Sequence, residues 1–314
     1  MDMDKQRKIM AAILALLALI AVIAVIDISL KLDKKSKPEL KFGLRESGEG
    51  IEIVRVEGPI EMSGGSKTFG MPQGAEAIIK QLNEIEDNSN IKGVVLRINS
   101  PGGTVAATQE IYEKIWKLRK KNIIIVASMG DVAASGGYYA ASACNYIVAN
   151  YGTITGSIGV ISYSPNLKRL FDKLGIEMNV IKSGKYKDIL SSHRDITQAE
   201  RALIQEMIDL SYNKFVKDIA LGRNMNLDDI IRIADGRVMN GETALANGLI
   251  DQLGTFEDAV LKAKELASLD PSAPVYEQSV SPFREIIESM KNIFLGSSFM
   301  NSGLLHNLDR VEYR

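Results

Sequence analysis

The chain has 314 residues, of which 46% are hydrophobic and 25% are charged, as is usual for a folded globular protein. A formal net charge of -1 gives no electrostatic reason to expect a nucleic-acid partner. The only cysteine, Cys144, excludes an intrachain disulfide and is expected to be a core residue. With so few cysteines and histidines, we expect no metal site and no other cofactor.

The first recognisable element is an apolar run at 9–26 that contains no charge and no proline. As an α-helix it would be about 27 Å long, which is enough for a bilayer core. A cleaved signal peptide is the alternative, but the run is longer than a typical signal-peptide core. The sequence therefore predicts a short N-terminal segment (1–8), an uncleaved transmembrane anchor (9–28) and a tether (29–49). Lysines lie on both sides of the anchor, so the positive-inside rule leaves its orientation open.

Hydrophobic periodicity predicts an α/β domain over 50–268. Apolar or alternating runs predict strands at 51–57, 91–98, 123–128, 145–149, 158–161 and 176–181. Helical spacing and capping residues predict helices at 75–85, 104–120, 166–174, 197–221, 227–234 and 256–268. Strand–helix–strand order at this spacing indicates right-handed parallel crossovers.

The C-terminal segment, 269–314, begins with a proline-containing linker. An apolar stripe then predicts an amphipathic helix over 283–294, followed by a loose tail. We expect this helix to dock on the domain or on a neighbouring subunit. Contact with a membrane surface is the weaker alternative, since acidic residues offset the basic ones.

The most informative stretch is the small-residue turn around Ser135, which lies where a strand ends and a helix begins. Two glycines follow the serine and allow another backbone to lie close to its hydroxyl. A helix N-terminus offers free N–H groups to an oxyanion that forms there. This is the geometry that an acyl-transfer nucleophile requires. The alternative is a packing turn in which Ser135 is only the N-cap.

A second glycine turn, Ser100-Pro-Gly-Gly103, follows the strand at 91–98. Alone it would be read as an ordinary Pro-Gly turn. Because the carboxyl ends of parallel strands share one edge of the sheet, it should lie beside the Ser135 turn. Its backbone N–H groups could then stabilise an oxyanion.

A serine nucleophile needs a general base, and the residues offer two kinds. His193, with Asp188 or Asp195, could form a triad, although it lies in a polar stretch that looks solvated. The other choice is a lysine from the Ser-Gly turn that carries Lys182, Lys185 and Lys187. Lowering a lysine pKa from about 10.4 to about 7.5 corresponds to roughly 4 kcal/mol, which burial can supply.

Five motifs in this order resemble the signal peptide peptidase A (protease IV) family of membrane-anchored serine proteases. They are Ser-Pro-Gly-Gly (100–103), Ala-Ala-Ser-Gly-Gly-Tyr-Tyr (133–139), Thr-Gly-Ser-Ile-Gly-Val (155–160), Ser-Gly-Lys-Tyr-Lys-Asp (183–188) and Ala-Asp-Gly-Arg-Val (234–238). The resemblance covers about 50–265. It implies a Clp-protease/crotonase-like α/β fold of repeated β-β-α units with an N-terminal transmembrane helix, and a Ser/Lys catalytic dyad.

Matched motif by motif, the resemblance implies that Ser135 is the nucleophile and Lys187 the general base. Ser157 resembles the serine that orients the lysine, and Gly103 and Gly136 resemble the two oxyanion-hole donors. The resemblance also implies a single-pass protein of the cell membrane with an extracytoplasmic catalytic domain. The expected partners are peptide substrates, such as signal-peptide remnants, and further copies of the chain in a homo-oligomer.

Four alternatives remain open on the sequence alone. A Ser135–His193 protease would depend on the histidine. A protease of similar sequence could cut partner membrane proteins instead of signal-peptide remnants. A crotonase-like acyl-CoA enzyme would bind coenzyme A and would not use Ser135. A catalytically silent membrane scaffold would not react with a serine-directed probe.

Overall fold

A mostly parallel β-sheet forms the centre of the computed structural model, which describes residues 48–63 and 74–277. The order along the sheet is β6-β5-β3-β2-β1-β8, and β4 lies between β3 and β7. Among the strands of the described residues, only β5 and β6 pair antiparallel. The strands are β1 (Gly50–Glu57), β2 (Ile91–Ser100), β3 (Ile124–Ala134), β4 (Tyr146–Ala149), β5 (Ile154–Gly156), β6 (Val238–Met239), β7 (Gln252–Leu253) and β8 (Val275–Glu277).

Helices cover both faces of this sheet, which is why its strands read as β-branched runs. On β1, Val54 and Val56 belong to the main core, whereas Ile51 and Ile53 belong to a smaller core with Ala259. The helices are α1 (Ala75–Glu86), α2 (Val105–Lys120), α3 (Gly136–Ser142), α4 (Lys168–Leu174), α5 (Gln198–Arg223), α6 (Leu227–Ile233), α7 (Gly241–Ala246) and α8 (Phe256–Leu266).

The central strand β3 changes its neighbour half-way along. Residues 126–129 pair with β4, and residues 132–134 pair with β5. On its other side, the register with β2 shifts between Ile98 and Ser100. There the Asn99 side chain accepts a hydrogen bond from the Val132 amide at 3.1 Å. As a result β3 runs without a break to Ala134 and delivers Ser135 to the end of the sheet.

The predicted α/β class is confirmed, and so are the six predicted helices, within a few residues at each end. The first four predicted strands are also confirmed, although β3 continues six residues beyond 128. Two successive strands precede a helix only at β4–β5–α4 in the described chain, so the expected repeat of β-β-α units is not seen there. The sheet also includes β8, which lies in the predicted linker.

The strands predicted at 158–161 and 176–181 are wrong for this chain, because neither stretch pairs with another strand. Ile161 is 84% exposed and Ile181 is fully exposed, so their apolar pattern is not used within the chain. Apart from the buried Ile158, both stretches belong to residues 159–196, which we call the arm. No residue of the arm is buried, and α4 is its only helix.

The structure bears on only part of the predicted domain plan. In the described ranges, 48–63 and 74–277, no helix is both long and apolar enough to cross a membrane. The predicted anchor at 9–28, nearly all of the tether and the 283–294 helix lie outside the described residues. They stay predictions.

Candidate active site

Ser135 lies at a sharp turn between β3 and α3. Its backbone has φ 51° and ψ -119°, in the positive-φ region that residues other than glycine rarely adopt. The turn is held on both sides, because the Ser135 amide donates to the Gly156 carbonyl at 2.8 Å and its carbonyl accepts from the Tyr139 amide at 2.9 Å. A strained serine on a strand-to-helix turn is the arrangement of an exposed nucleophile.

The Gly102-Gly103 turn packs directly against this serine. A Cβ atom on Gly102 would lie 2.9 Å from the Ser135 Cβ and 2.8 Å from the Gly136 nitrogen. A Cβ on Gly136 would lie 3.1 Å from the Gly103 nitrogen. Ile60 holds the turn in place, since it donates to the Gly102 carbonyl and accepts from the Thr104 amide, both at 2.9 Å. Only glycines allow the two backbones to come this close.

Two backbone N–H groups next to the Ser135 side chain are left without an acceptor. Within residues 48–63 and 74–277, neither the Gly103 amide nor the Gly136 amide donates a hydrogen bond. Unpaired amides beside a nucleophile can donate to the negatively charged oxygen of a tetrahedral intermediate. The two amides that the sequence singled out are therefore available for this chemistry.

A cavity of about 340 Å³ opens beside Ser135. Gly103, Ser135 and Gly136 form its reactive end. Its walls come from α2, α3, α5 and the start of the arm. Apolar and aromatic side chains line it beside a few polar ones: Val105, Tyr139, Val160, Ile161, Leu210 and Phe215 with Thr108, Gln109, Ser211 and Lys214. Such a cavity suits the small or apolar side chains of an extended peptide.

Comparison with known proteins identifies the family to which this fold belongs. The family model "Peptidase family S49" matches residues 117–270, and "Clp protease" matches residues 71–148. Protease slr0021 of Synechocystis sp. is 46% identical over 220 residues, which cover 70% of this chain and 76% of that protein. The chain belongs to peptidase family S49. It is therefore a serine-type peptidase with a Clp-protease-like α/β fold, and the resemblance found in the sequence is confirmed.

Two further relatives differ in how much of their own length this chain covers. A signal peptide peptidase SppA of Enterococcus faecium is 36% identical over 244 residues, which cover 76% of this chain and 71% of that protein. Protease 4 of Haemophilus influenzae is 32% identical over 235 residues, which cover 75% of this chain but only 38% of that protein. This S49 peptidase thus spans less than half of the second relative.

Ser157 directly follows Gly156, the residue whose carbonyl accepts the hydrogen bond from the Ser135 amide. It follows β5, whose Gly156 pairs with Ala134. Its φ is 49°, and its amide donates to the Arg237 carbonyl at 2.7 Å. The fold of this S49 peptidase therefore brings Ser157 to the same edge as Ser135, Gly103 and Gly136. Its role in orienting the lysine stays a prediction.

Lys187 lies on the arm, exposed, and does not line the cavity of its own chain. Its side chain makes no hydrogen bond to the described residues. The other two candidate lysines are engaged elsewhere. Lys182 donates to Asp188 Oδ1 at 2.6 Å, and the Lys185 ammonium lies 5.0 Å from the Tyr186 ring centre. Of the three, Lys187 is the one whose ammonium has no hydrogen bond, ion pair or ring contact with the described residues.

The histidine alternative has no triad geometry in the described chain. His193 does not line the cavity, and the carboxylates proposed for it bind other groups. Asp188 accepts from Arg194 and Lys182, and Asp195 accepts from Asn166 at 2.7 Å.

We expect His193→Ala to change kcat/KM by less than about twofold, whereas loss of a true general base costs about 10²- to 10⁴-fold. Steady-state hydrolysis of a fluorogenic peptide measures this. A loss above 100-fold in a folded variant would restore the triad hypothesis.

One part of the site was not found in the sequence. Asp218 is buried below the cavity, where it accepts a hydrogen bond from the Tyr139 hydroxyl. Its Oδ1 and Oδ2 also accept from Lys214 Nζ, at 2.6 and 2.7 Å. The Tyr139 ring packs between Tyr112 and Phe215, with ring centres 4.7 Å apart in both cases. Burial first, and then the Asp218 hydrogen bond, raise the pKa of Tyr139, so its phenol stays neutral. Spacing on α5 could have indicated a buried face, but not that this face lines the cavity.

Proposed function

We propose that this protein is a membrane-anchored serine endopeptidase that hydrolyses signal-peptide remnants or other extended peptides with small or apolar side chains. Ser135 is the nucleophile and Lys187 is the general base. The observation that carries the proposal is the Ser135 turn, with its strained backbone and the two unpaired amides of Gly103 and Gly136 beside it.

The reaction follows from these positions. Neutral Lys187 takes the proton of Ser135 as its oxygen attacks the substrate carbonyl. The amides of Gly103 and Gly136 donate to the resulting oxyanion, and Ser157 orients the lysine. The leaving amine takes the proton from Lys187, which leaves an acyl-enzyme. Water then attacks the acyl group, with Lys187 again as base, and releases Ser135.

Lys187 reaches a serine through assembly of several copies, because it is exposed on the arm and absent from the cavity of its own chain. The arm also exposes apolar side chains that a neighbouring copy could cover, namely Ile161, Tyr163, Leu170, Leu174, Ile176, Met178, Val180 and Ile181. Burial of Lys187 against a neighbour's cavity would disfavour the ammonium form and lower the lysine pKa. A homo-oligomer thus completes each site.

The substrate class is supported by the cavity and by one relative. Much of the wall is apolar, and the cavity opens beside the Gly103 turn, where an extended peptide can add main-chain hydrogen bonds. The relative named signal peptide peptidase SppA shares 36% identity with this chain. An anchor at 9–28 with an extracytoplasmic domain would bring the protease to the membrane, where such peptides remain.

The test is digestion of a model signal peptide by the full chain in detergent. Wild type should release small fragments, while Ser135→Ala should lose at least about 10³-fold in rate. A fluorophosphonate probe should label the wild type and not the variant. Normal turnover by folded Ser135→Ala would overturn the assignment of the nucleophile, and absence of labelling in an active wild type would do the same.

A further inference from the structure

The guanidinium of Arg194 links the loop that carries Lys187 to the start of α5. Its Nε and Nη2 donate to the two Asp188 carboxylate oxygens, each at 2.9 Å. Its Nη1 and Nη2 donate to Glu200 Oε2 and Oε1 at 2.9 and 2.6 Å. Nη2 also donates to the Asp188 carbonyl at 3.0 Å, and Nη1 to the Asp195 carbonyl at 3.1 Å. One side chain therefore binds two carboxylates, both in bidentate fashion.

The Glu200 carboxylate is a fixed point. It is almost fully buried, and it accepts from the Thr197 amide at 2.9 Å in the capping box of α5. The hydrogen bond from Arg194 is the largest of the causes that lower the pKa of Glu200 to about 2, so the carboxylate is ionised at neutral pH. Arg194 is thus attached to the body of the domain through a helix terminus that does not depend on the arm.

The Asp188 carboxylate is the other end of the link, and it belongs to the residue directly after Lys187. It also accepts from Lys182 Nζ at 2.6 Å, and that ammonium donates to the Lys185 carbonyl at 3.1 Å. Arg194 and then Lys182 lower the pKa of Asp188, which keeps it ionised. A shift of Asp188 would move the Lys187 backbone with it.

Apolar packing inside the chain cannot fix this loop, because no residue between 159 and 199 is buried. Among the side-chain hydrogen bonds of this loop to other described residues, those of Arg194 reach α5. Charge-assisted bidentate pairs fix both distance and orientation, which a single backbone hydrogen bond does not.

We propose that Arg194 is a positioning residue of this peptidase: by clamping Asp188 to Glu200 it sets where Lys187 is presented to Ser135. The inference rests on the proposed role of Lys187 as the general base. Arg194 does not line the Ser135 cavity of its own chain, and the inference assigns its effect on the rate to the position of Lys187.

The experiment compares Arg194→Gln and Arg194→Lys with wild type in the full chain. Both should lower kcat about 10- to 100-fold, because a misplacement of about 1 Å at a reacting group can cost 10²-fold. KM should stay within about twofold, since the cavity walls are untouched. Rates are expressed per site counted by end-point fluorophosphonate labelling, so partial unfolding does not lower them.

Arg201→Gln is the matched control, because Arg201 is exposed on α5 and makes no side-chain hydrogen bond to the described residues.

A double-mutant cycle with Asp188→Asn separates positioning from general damage. Arg194→Gln and Asp188→Asn remove the same link, so the double variant should be no slower than the slower single variant. Wild-type kcat per site in Arg194→Lys would overturn the inference, as would fully multiplicative losses in the cycle. If Arg194→Gln does not fold, Arg194→Lys decides alone.

A digest with the Lys187→Ala variant, run in parallel, distinguishes a wrong general base from a wrong inference about Arg194. If that variant stays active, the general base is wrong and the inference about Arg194 is wrong with it. If it is inactive while both Arg194 variants keep wild-type kcat per site, only the inference about Arg194 is overturned.

Discussion

Co-expression of Ser135→Ala and Lys187→Ala chains should restore peptidase activity that neither variant has alone. In a closed ring where each serine meets the lysine of its neighbour, random mixing makes about one site in four complete, so about a quarter of wild-type activity is expected. Each variant alone should be at least about 10³-fold slower than wild type. The physical reason is that Lys187 is exposed on an arm without buried residues, away from the cavity that holds Ser135.

The matched control is a pair that cannot complement. Gly103 and Ser135 lie in the same cavity of one chain, so every site with an intact serine in a Ser135→Ala plus Gly103→Ala mixture keeps the Gly103 defect. That mixture should stay near the activity of Gly103→Ala alone. Two affinity tags, purified in sequence, select the mixed assemblies. No restoration in tag-selected Ser135→Ala plus Lys187→Ala assemblies would mean that Lys187 does not act between copies.

Gly103→Ala should lower kcat/KM about 10²- to 10³-fold, the usual cost of losing one oxyanion-hole donor. An added Cβ would lie 1.8 Å from the Ile60 carbonyl oxygen, which is backbone and cannot move aside cheaply. The turn has to shift, and the Gly103 amide then moves away from the Gly136 amide. Steady-state hydrolysis of a peptide ester and of the matching amide measures the loss.

Gly152→Ala is the control for adding a methyl group to a turn, because nothing lies within 4 Å of a Cβ at that position. It should keep wild-type kcat/KM. Thermal unfolding of both variants shows whether Gly103→Ala is still folded at the assay temperature. A folded Gly103→Ala enzyme with wild-type kcat/KM would remove Gly103 from the oxyanion hole.

Much of the fold could be predicted from sequence because it depends on local patterns. The alternating run before Gly58 and the mostly apolar run before Ser100 predict strands, and both strands are found. The capping box at Thr197 predicts the start of α5 to the residue. The small-residue turn at Ser135 predicts a strand-to-helix junction, which is also found. Each of these features depends on residues close together in the chain.

The arm shows where local pattern fails. The apolar residues around Ile161 and Met178 have the composition of strands, but a strand forms only where it pairs with another, and neither stretch pairs within the described chain. The same limit applies to Asp218, whose place below the cavity depends on how α5 packs against Tyr139.

By itself, the sequence indicated the kind of chemistry: a serine on a glycine-rich turn, a second glycine turn at the same sheet edge, and a lysine or a histidine as the candidate base. Only the tertiary structure decided how these parts meet. It brings the amides of Gly103 and Gly136 together beside Ser135 and leaves Lys187 exposed on the arm. The reason is physical: neighbouring residues set a turn or a strand, whereas the distance between two side chains depends on packing between elements far apart in the chain.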